Sequence, residues 1–151
     1  MNKSIRENSA FAVRTLLSTL PKDVVKVRES YDEYEHRIEV TPASERHCWF
    51  WMGFSNYETY GLGIGHGLSF EDLPISEFPP DIVAQAIVNG CVQETIWLKK
   101  NRVVRAEGVL TLPDGRVLSD NAILRPLATI GSSQKKEIKY SPYTEIEMKK
   151  E

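Results

Sequence analysis

The run His47-Cys48-Trp49-Phe50-Trp51-Met52-Gly53-Phe54 is apolar at odd and even positions alike, and no other stretch of the chain leaves so few folds open. Successive side chains of a strand point to opposite faces, so a strand apolar on both must lie inside a sheet with both faces covered. Residues 46–55 are therefore expected to form a central strand with a helix over one side. The next strand candidate, 57–66, carries Gly61, Gly63 and Gly65 on a single face, and Gly67 continues the series. Glycine in a strand interior marks a bend or the close approach of a bulky group. A three-residue turn at 55–57 sets Trp49 and Trp51 opposite Gly63 and Gly61. A two-residue turn sets Cys48 and Phe50 there instead. In either register large groups lean over bare backbone.

Around this centre the other elements read in order. Residues 4–20 predict a helix, with Ser4 and Glu7 spaced as a capping box and Phe11, Val13, Leu16, Leu17 and Leu20 on one apolar side. Pro21 stops it. Residues 24–31 and 34–41 alternate charged and β-branched positions, as half-exposed antiparallel strands do, with a short Asp32-Glu33 connection. Residues 67–79 read as a loop. Pro80 suits the first position of a short helix whose face is Ile82, Val83, Ala86 and Ile87, and Asn89-Gly90 ends it. Strands resume at 92–100 and 103–112, and Pro113-Asp114-Gly115 turns the chain into 116–119. This order predicts one α+β domain over residues 1–130: an N-terminal helix, an antiparallel meander, a second helix and further antiparallel strands. A polar tail at 131–151 follows, open between a flexible arm, a capping strand and a dimer clasp.

Composition fits that reading. The chain has 151 residues, 41% hydrophobic and 26% charged, with a net charge of −2. These values exclude a low-complexity chain and a strongly basic nucleic-acid binder. The apolar stretch near the N-terminus is broken by Glu7 and Arg14, unlike a signal peptide. Cys48 and Cys91 both sit in hydrophobic segments and read as two buried free thiols in a reducing compartment. The expectation is a cytoplasmic protein without membrane or nucleic-acid partners.

Catalytic motifs are weak. Gly61-Leu62-Gly63-Ile64-Gly65-His66-Gly67 lacks the G-x-G-x-x-G spacing, the following helix and the Lys-Ser/Thr pair of a phosphate loop. His47 and Cys48 are adjacent on a strand and point to opposite faces, so they cannot share a metal. No histidine or cysteine pair has metal-ligand spacing. A Cys–His nucleophile would need Cys48 or Cys91 beside His66. No G-x-S-x-G elbow is present. No catalytic residue, metal ligand or cofactor is assigned, and the chain is read as not an enzyme.

Charge is distributed more tellingly. From His47 to Leu98, 52 residues hold no Lys or Arg and six acids: Glu58, Glu71, Asp72, Glu77, Asp81 and Glu94. The other 99 residues hold all 19 basic groups against 15 acids, a net +4. Buried strands explain a scarcity of charge, but not that every charge present is acidic. Interleaved Phe70, Leu73 and Phe78 supply apolar anchors of the kind that concentrate binding energy inside a charged rim. Glu58, Phe70, Glu71, Asp72, Glu77, Phe78, Asp81 and Glu94 are therefore the candidate partner-binding residues.

The stretch Gly65-His66-Gly67-Leu68-Ser69-Phe70-Glu71-Asp72-Leu73-Pro74 and the later Gly90-Cys91-Val92-Gln93-Glu94-Thr95-Ile96-Trp97 resemble segments of small bacterial immunity proteins, the cytoplasmic antidotes of polymorphic or contact-dependent toxins. The resemblance implies a non-enzymatic protein that occludes a toxin, often a basic nuclease, through an acidic surface; a monomer or homodimer is expected. A net charge of −2 is mild for a nuclease inhibitor. Two other readings compete. One is a secretion-type chaperone dimer with an apolar groove for an unfolded client. The other is a small-molecule-binding or catalytic α+β domain that uses Trp49, Trp51 and the glycine face as a pocket, with His66 in it.

Overall fold

A computed structural model describes residues 2–55, 57–124 and 133–144. Within them two helices accompany two antiparallel sheets, so the fold class is α+β. The first helix, α1, spans Asn2–Leu17 and continues as turns to Leu20. Because it already includes Asn2, Ser4 lies inside the helix and not at its cap. Ala10, Val13, Leu17 and Leu20 are buried, whereas Phe11 is 63% exposed, off the apolar side expected for it.

The first sheet has the order β1-β2-β3-β4-β5. Its strands are β1 (Val25–Tyr31), β2 (His36–Pro42), β3 (Phe50–Phe54), β4 (Thr59–Ile64) and β5 (Leu68–Pro74). The connection between β1 and β2 is longer than the expected pair of residues, because the Asp32 carboxylate accepts the N–H groups of Tyr34 and Glu35, both at 2.8 Å, and shapes residues 32–35 into a loop. As an edge strand β1 is exposed almost throughout, and β2 alternates as expected.

The run from Phe50 is central, flanked by β2 and β4. Ile38, Phe50, Met52, Phe54, Leu62 and Ile64 join the helices in a single core, each fully buried side chain of this size contributing about 1.5–3 kcal/mol. Trp51 pairs with Gly63, and Gly53 with Gly61. Of the two registers left open, the structure keeps the parity of the one with tryptophans over the glycines but slides it by one pair, because the connection from Phe54 to Tyr60 is longer than either turn weighed. The indole of Trp51 lies across both glycines, and a β-carbon at Gly63 would collide with its Nε1. The Arg37 guanidinium stands 4.0 Å from the ring centroid on Trp51.

Part of the expected loop at 67–79 is instead β5. Opposite it the register shifts between Tyr60 and Leu62, so that Glu71 and Asp72 face the single residue Gly61 across a bulge. The extra residue keeps Leu68, Phe70 and Leu73 on the inner side although their spacing changes from two to three, which hides the strand from a period-two reading.

The second helix, α2, spans Pro80–Val88 with Pro at its start, and it ends at Asn89-Gly90, where Gly90 takes φ +78°. The second sheet has the order β8-β7-β6-β9. It is built from β6 (Val92–Lys99), β7 (Arg102–Thr111), β8 (Val117–Ile123) and β9 (Gln134–Lys139). Lys100 and Asn101, with φ 53° and 63°, make the two-residue turn joining β6 to β7. Of the roles left open for the segment from 131 onward, residues 134–139 take that of a strand on the free side of β6. Tyr140 and Tyr143, expected in a polar tail, are buried in the core. Tyr143 OH donates to the Cys48 carbonyl and Ser141 N–H to the Arg46 carbonyl, stitching this segment to the start of β3. Cys48 is buried as expected, but Cys91 is exposed just after α2.

Candidate functional site

The expected acidic residues divide between two places. The pairing of β4 with β5, together with a hydrogen bond of 2.9 Å from Ile75 N–H to the Glu58 carbonyl, brings Glu58 beside the chain leaving β5. Glu71 and Asp72 lie on the bulged part of β5, Glu77 in the turn that follows, and Asp81 in the first turn of α2; all five are exposed. Asp81 also acts on the interior: burial first, and then its charge, push the Tyr60 phenol up. The Tyr60 hydroxyl donates to the Phe78 carbonyl at 2.7 Å, which holds the β5–α2 turn against the sheet.

The two aromatic anchors offer less than the sequence suggests. Phe70 and Phe78 are half-buried and pack against the core. The Arg116 guanidinium stands over the Phe78 ring at 4.8 Å and pairs with Asp114 at 2.6 Å. A window free of cations along the chain is thus not free of them in space, since the β7–β8 turn delivers Arg116 to its margin.

Glu94 departs from the acidic surface altogether. It lies on β6 between Val92 and Ile96 on the inward side and is 2% exposed, so it cannot serve as a surface contact. Its Oε2 accepts the His66 backbone N–H at 2.8 Å, and its Oε1 accepts Tyr140 OH at 2.5 Å and contacts His66 Nδ1 at 3.1 Å. His66 is at the tip of the β4–β5 hairpin and Tyr140 just beyond β9, so one carboxylate ties both sheets to the C-terminal segment. Gly65, at φ +56°, makes this possible, because a β-carbon there would occupy the Glu94 carboxylate's place. Trp49 completes the group, edge-on to His66 at 4.8 Å and to Tyr140 at 6.2 Å between ring centroids. Burial, followed by the hydrogen bond to Glu94, pushes the Tyr140 phenol up. Burial and the Glu94 charge likewise raise the Cys48 thiol, which leaves it a poor nucleophile.

Beside this group a cleft of about 330 Å³ has Trp49, Trp51, His66, Ala122 and Leu124 among its lining residues. His66 and Tyr140 as partners of Glu94 were missed from the sequence, but a signal existed. In Val92-Gln93-Glu94-Thr95-Ile96 the acid has the parity of the apolar residues, which forecasts a buried carboxylate in need of donors.

Among the described residues no group of three or more His, Cys, Asp or Glu side chains is placed to hold a metal ion, and no helix is long and apolar enough to cross a membrane. Compared with known proteins, the chain matches no family model, no curated protein and no solved structure.

Proposed function

We propose that this chain is a non-enzymatic protein-binding module, an immunity-type protein that neutralises a toxin by covering its working surface with the acidic end of the first sheet. The observation that supports this reading is the gathering of Glu58, Glu71, Asp72, Glu77 and Asp81, all exposed, where β4 begins, β5 ends and α2 starts. Carboxylates so placed attract a basic partner such as a nuclease over distances near the Debye length, about 8 Å at physiological salt. They raise the rate of encounter more than the final affinity. The half-buried edge of Phe78, with Arg116 over its ring, supplies apolar contact beside them, while Phe70 packs inward and Arg116 already pairs with Asp114. Binding of this kind masks the partner sterically and needs no chemistry from the module.

The test is native mass spectrometry of the untagged protein isolated from the cells that make it. A single stoichiometric protein partner of basic character, lost at high salt and not retained by the Glu71→Lys, Asp72→Lys, Glu77→Lys variant, is the expected result. A partner retained undiminished by that variant places the interface elsewhere, and a homodimer holding an unfolded client replaces this reading with the chaperone one.

A further inference from the structure

We infer that the free edge of β9 is a docking strand for a second copy of this chain, joined antiparallel about a twofold axis at Ile138. The argument starts from the ladder. In an antiparallel pair, successive residues turn their main-chain groups alternately toward the neighbouring strand and away from it. Tyr140 N–H donates to the Val92 carbonyl, so the even-numbered residues of β9 are the ones that bond to β6. The N–H and C=O groups of Lys135, Glu137 and Lys139 therefore point away from β6, along an edge that no described strand pairs. Such a row of unpaired main-chain groups is a template for another strand. The side chains along it are exposed except that of Ile138, which is partly buried.

Charge selects the occupant and its register. A twofold axis normal to the sheet pairs residues of equal parity, so it passes through one residue, which then faces itself. Centred on Lys135, Lys136, Glu137 or Lys139, the pairing sets like charges directly opposite each other and is disfavoured. Centred on Ile138, it sets Ile138 against the same residue of the second copy, and Glu137 against Lys139 of that copy, twice by symmetry. Glu137 and Lys139 are also residues whose main-chain groups face the edge, so each such pair exchanges N–H···O bonds in both directions. The Glu137 side chain is 78% exposed, and Lys135 stands 3.8 Å away, so its carboxylate stays open to the second copy. The same charges that bar the other registers thus admit this one, and the two second sheets join into a single continuous sheet. No residue of the acidic end lies on β9, so the inference does not depend on the partner proposed for that end.

The experiment follows the full chain by sedimentation velocity from micromolar to submillimolar concentration, beside Lys139→Glu, Glu137→Lys and the double variant that carries both changes. The expected result is a monomer–dimer equilibrium, about tenfold weaker in each single variant and recovered in the double one, where opposite charges face each other again. A chain that stays monomeric throughout overturns the proposal. So do single variants that dimerise as tightly as the unaltered chain, or a double variant no tighter than the single ones. The register is read by cysteine pairing in a Cys91→Ser background, because Cys91 is exposed. Residues opposed in a non-hydrogen-bonded pair have Cα atoms about 4.5 Å apart, within reach of a disulfide. Oxidised glutathione should therefore link Ile138→Cys to its own copy and leave Lys136→Cys unlinked; the reverse pattern overturns the proposed axis. Because self-association is measured first on the unaltered chain, a variant that fails to fold does not rescue the proposal.

Discussion

Glu71 and Glu94 are both acids on antiparallel strands, and the protein uses them in opposite ways. Glu71 stands on the bulged part of β5 in water, among other exposed carboxylates. Glu94 is enclosed between the sheets, where its oxygens take the His66 N–H, the His66 ring and the Tyr140 hydroxyl. The difference teaches that a run of like charge along a sequence is no guide to a surface. Strand parity sends one acid inward and leaves the others out, and a distant turn brings Arg116 against the Phe78 ring. The exposed acids are free to serve a partner, while Glu94 serves the fold and holds His66 in place.

The sharpest break of this comparison is a pair of alanine variants. Glu94→Ala strips three hydrogen-bond contacts from buried groups and should cost about 3 kcal/mol in urea unfolding. Glu71→Ala should stay within about 0.5 kcal/mol. Equal costs would erase the distinction between the two sites. Next in size is Gly63→Ala, whose new β-carbon meets the indole of Trp51 and should cost about 1–3 kcal/mol, with a shift in tryptophan emission as the ring lifts from β4. A neutral Gly63→Ala would show that the indole has room to move.

The smallest effect concerns Glu29, an acid between the two extremes. Arg14 on α1 pairs with it at 2.7 Å and His36 on β2 contacts it at 3.2 Å. The hydrogen bond from Arg14, and after it that from His36, holds the Glu29 carboxyl below its usual range. A depressed folded-state value means that the stabilisation is present above the ordinary carboxylate range and is lost as the pH falls through the folded value. Glu29→Gln should therefore lower stability by about 0.5 kcal/mol at neutral pH and converge with the unaltered protein in acid. A gap that persists unchanged at low pH would assign Glu29 a packing role instead of an ionic one.

Much of the fold was legible because its centre is written in strong signals. The doubly apolar run supplied β3 in mid-sheet, though only from Phe50 to Phe54, and of the odd-numbered glycines Gly61 and Gly63 lie under Trp51 while Gly65 meets Glu94 and Gly67 meets Ala106. What escaped notice was the edges. In β9, Gln134-Lys135-Lys136-Glu137-Ile138-Lys139 has one partly buried side chain, Ile138, since an edge strand needs little apolar surface and charge there discourages unwanted pairing. In β5 a bulge broke the alternation that would have announced a strand. The helical spacing groups Phe11 with Val13 and Leu17 on one apolar side, but Ala10, Val13 and Leu17 define the buried stripe of α1 and Phe11 falls outside it. The acids of the acidic end are close in sequence because β4, β5 and α2, which carry or flank them, are consecutive. The Glu94 group joins residues 66, 94 and 140, and only the packing of two sheets brings such distant positions together.

The central claim is that the exposed acids draw a basic partner while Glu94 does not. Stopped-flow association of the partner, compared at low and high salt for the unaltered chain and for the Glu71→Lys, Asp72→Lys, Glu77→Lys variant, tests it most directly. The account predicts that the variant associates at least about tenfold more slowly at low salt, with a difference that shrinks at high salt and a midpoint of unfolding close to that of the unaltered chain. Equal association rates at low salt, in a variant that remains folded, would contradict it.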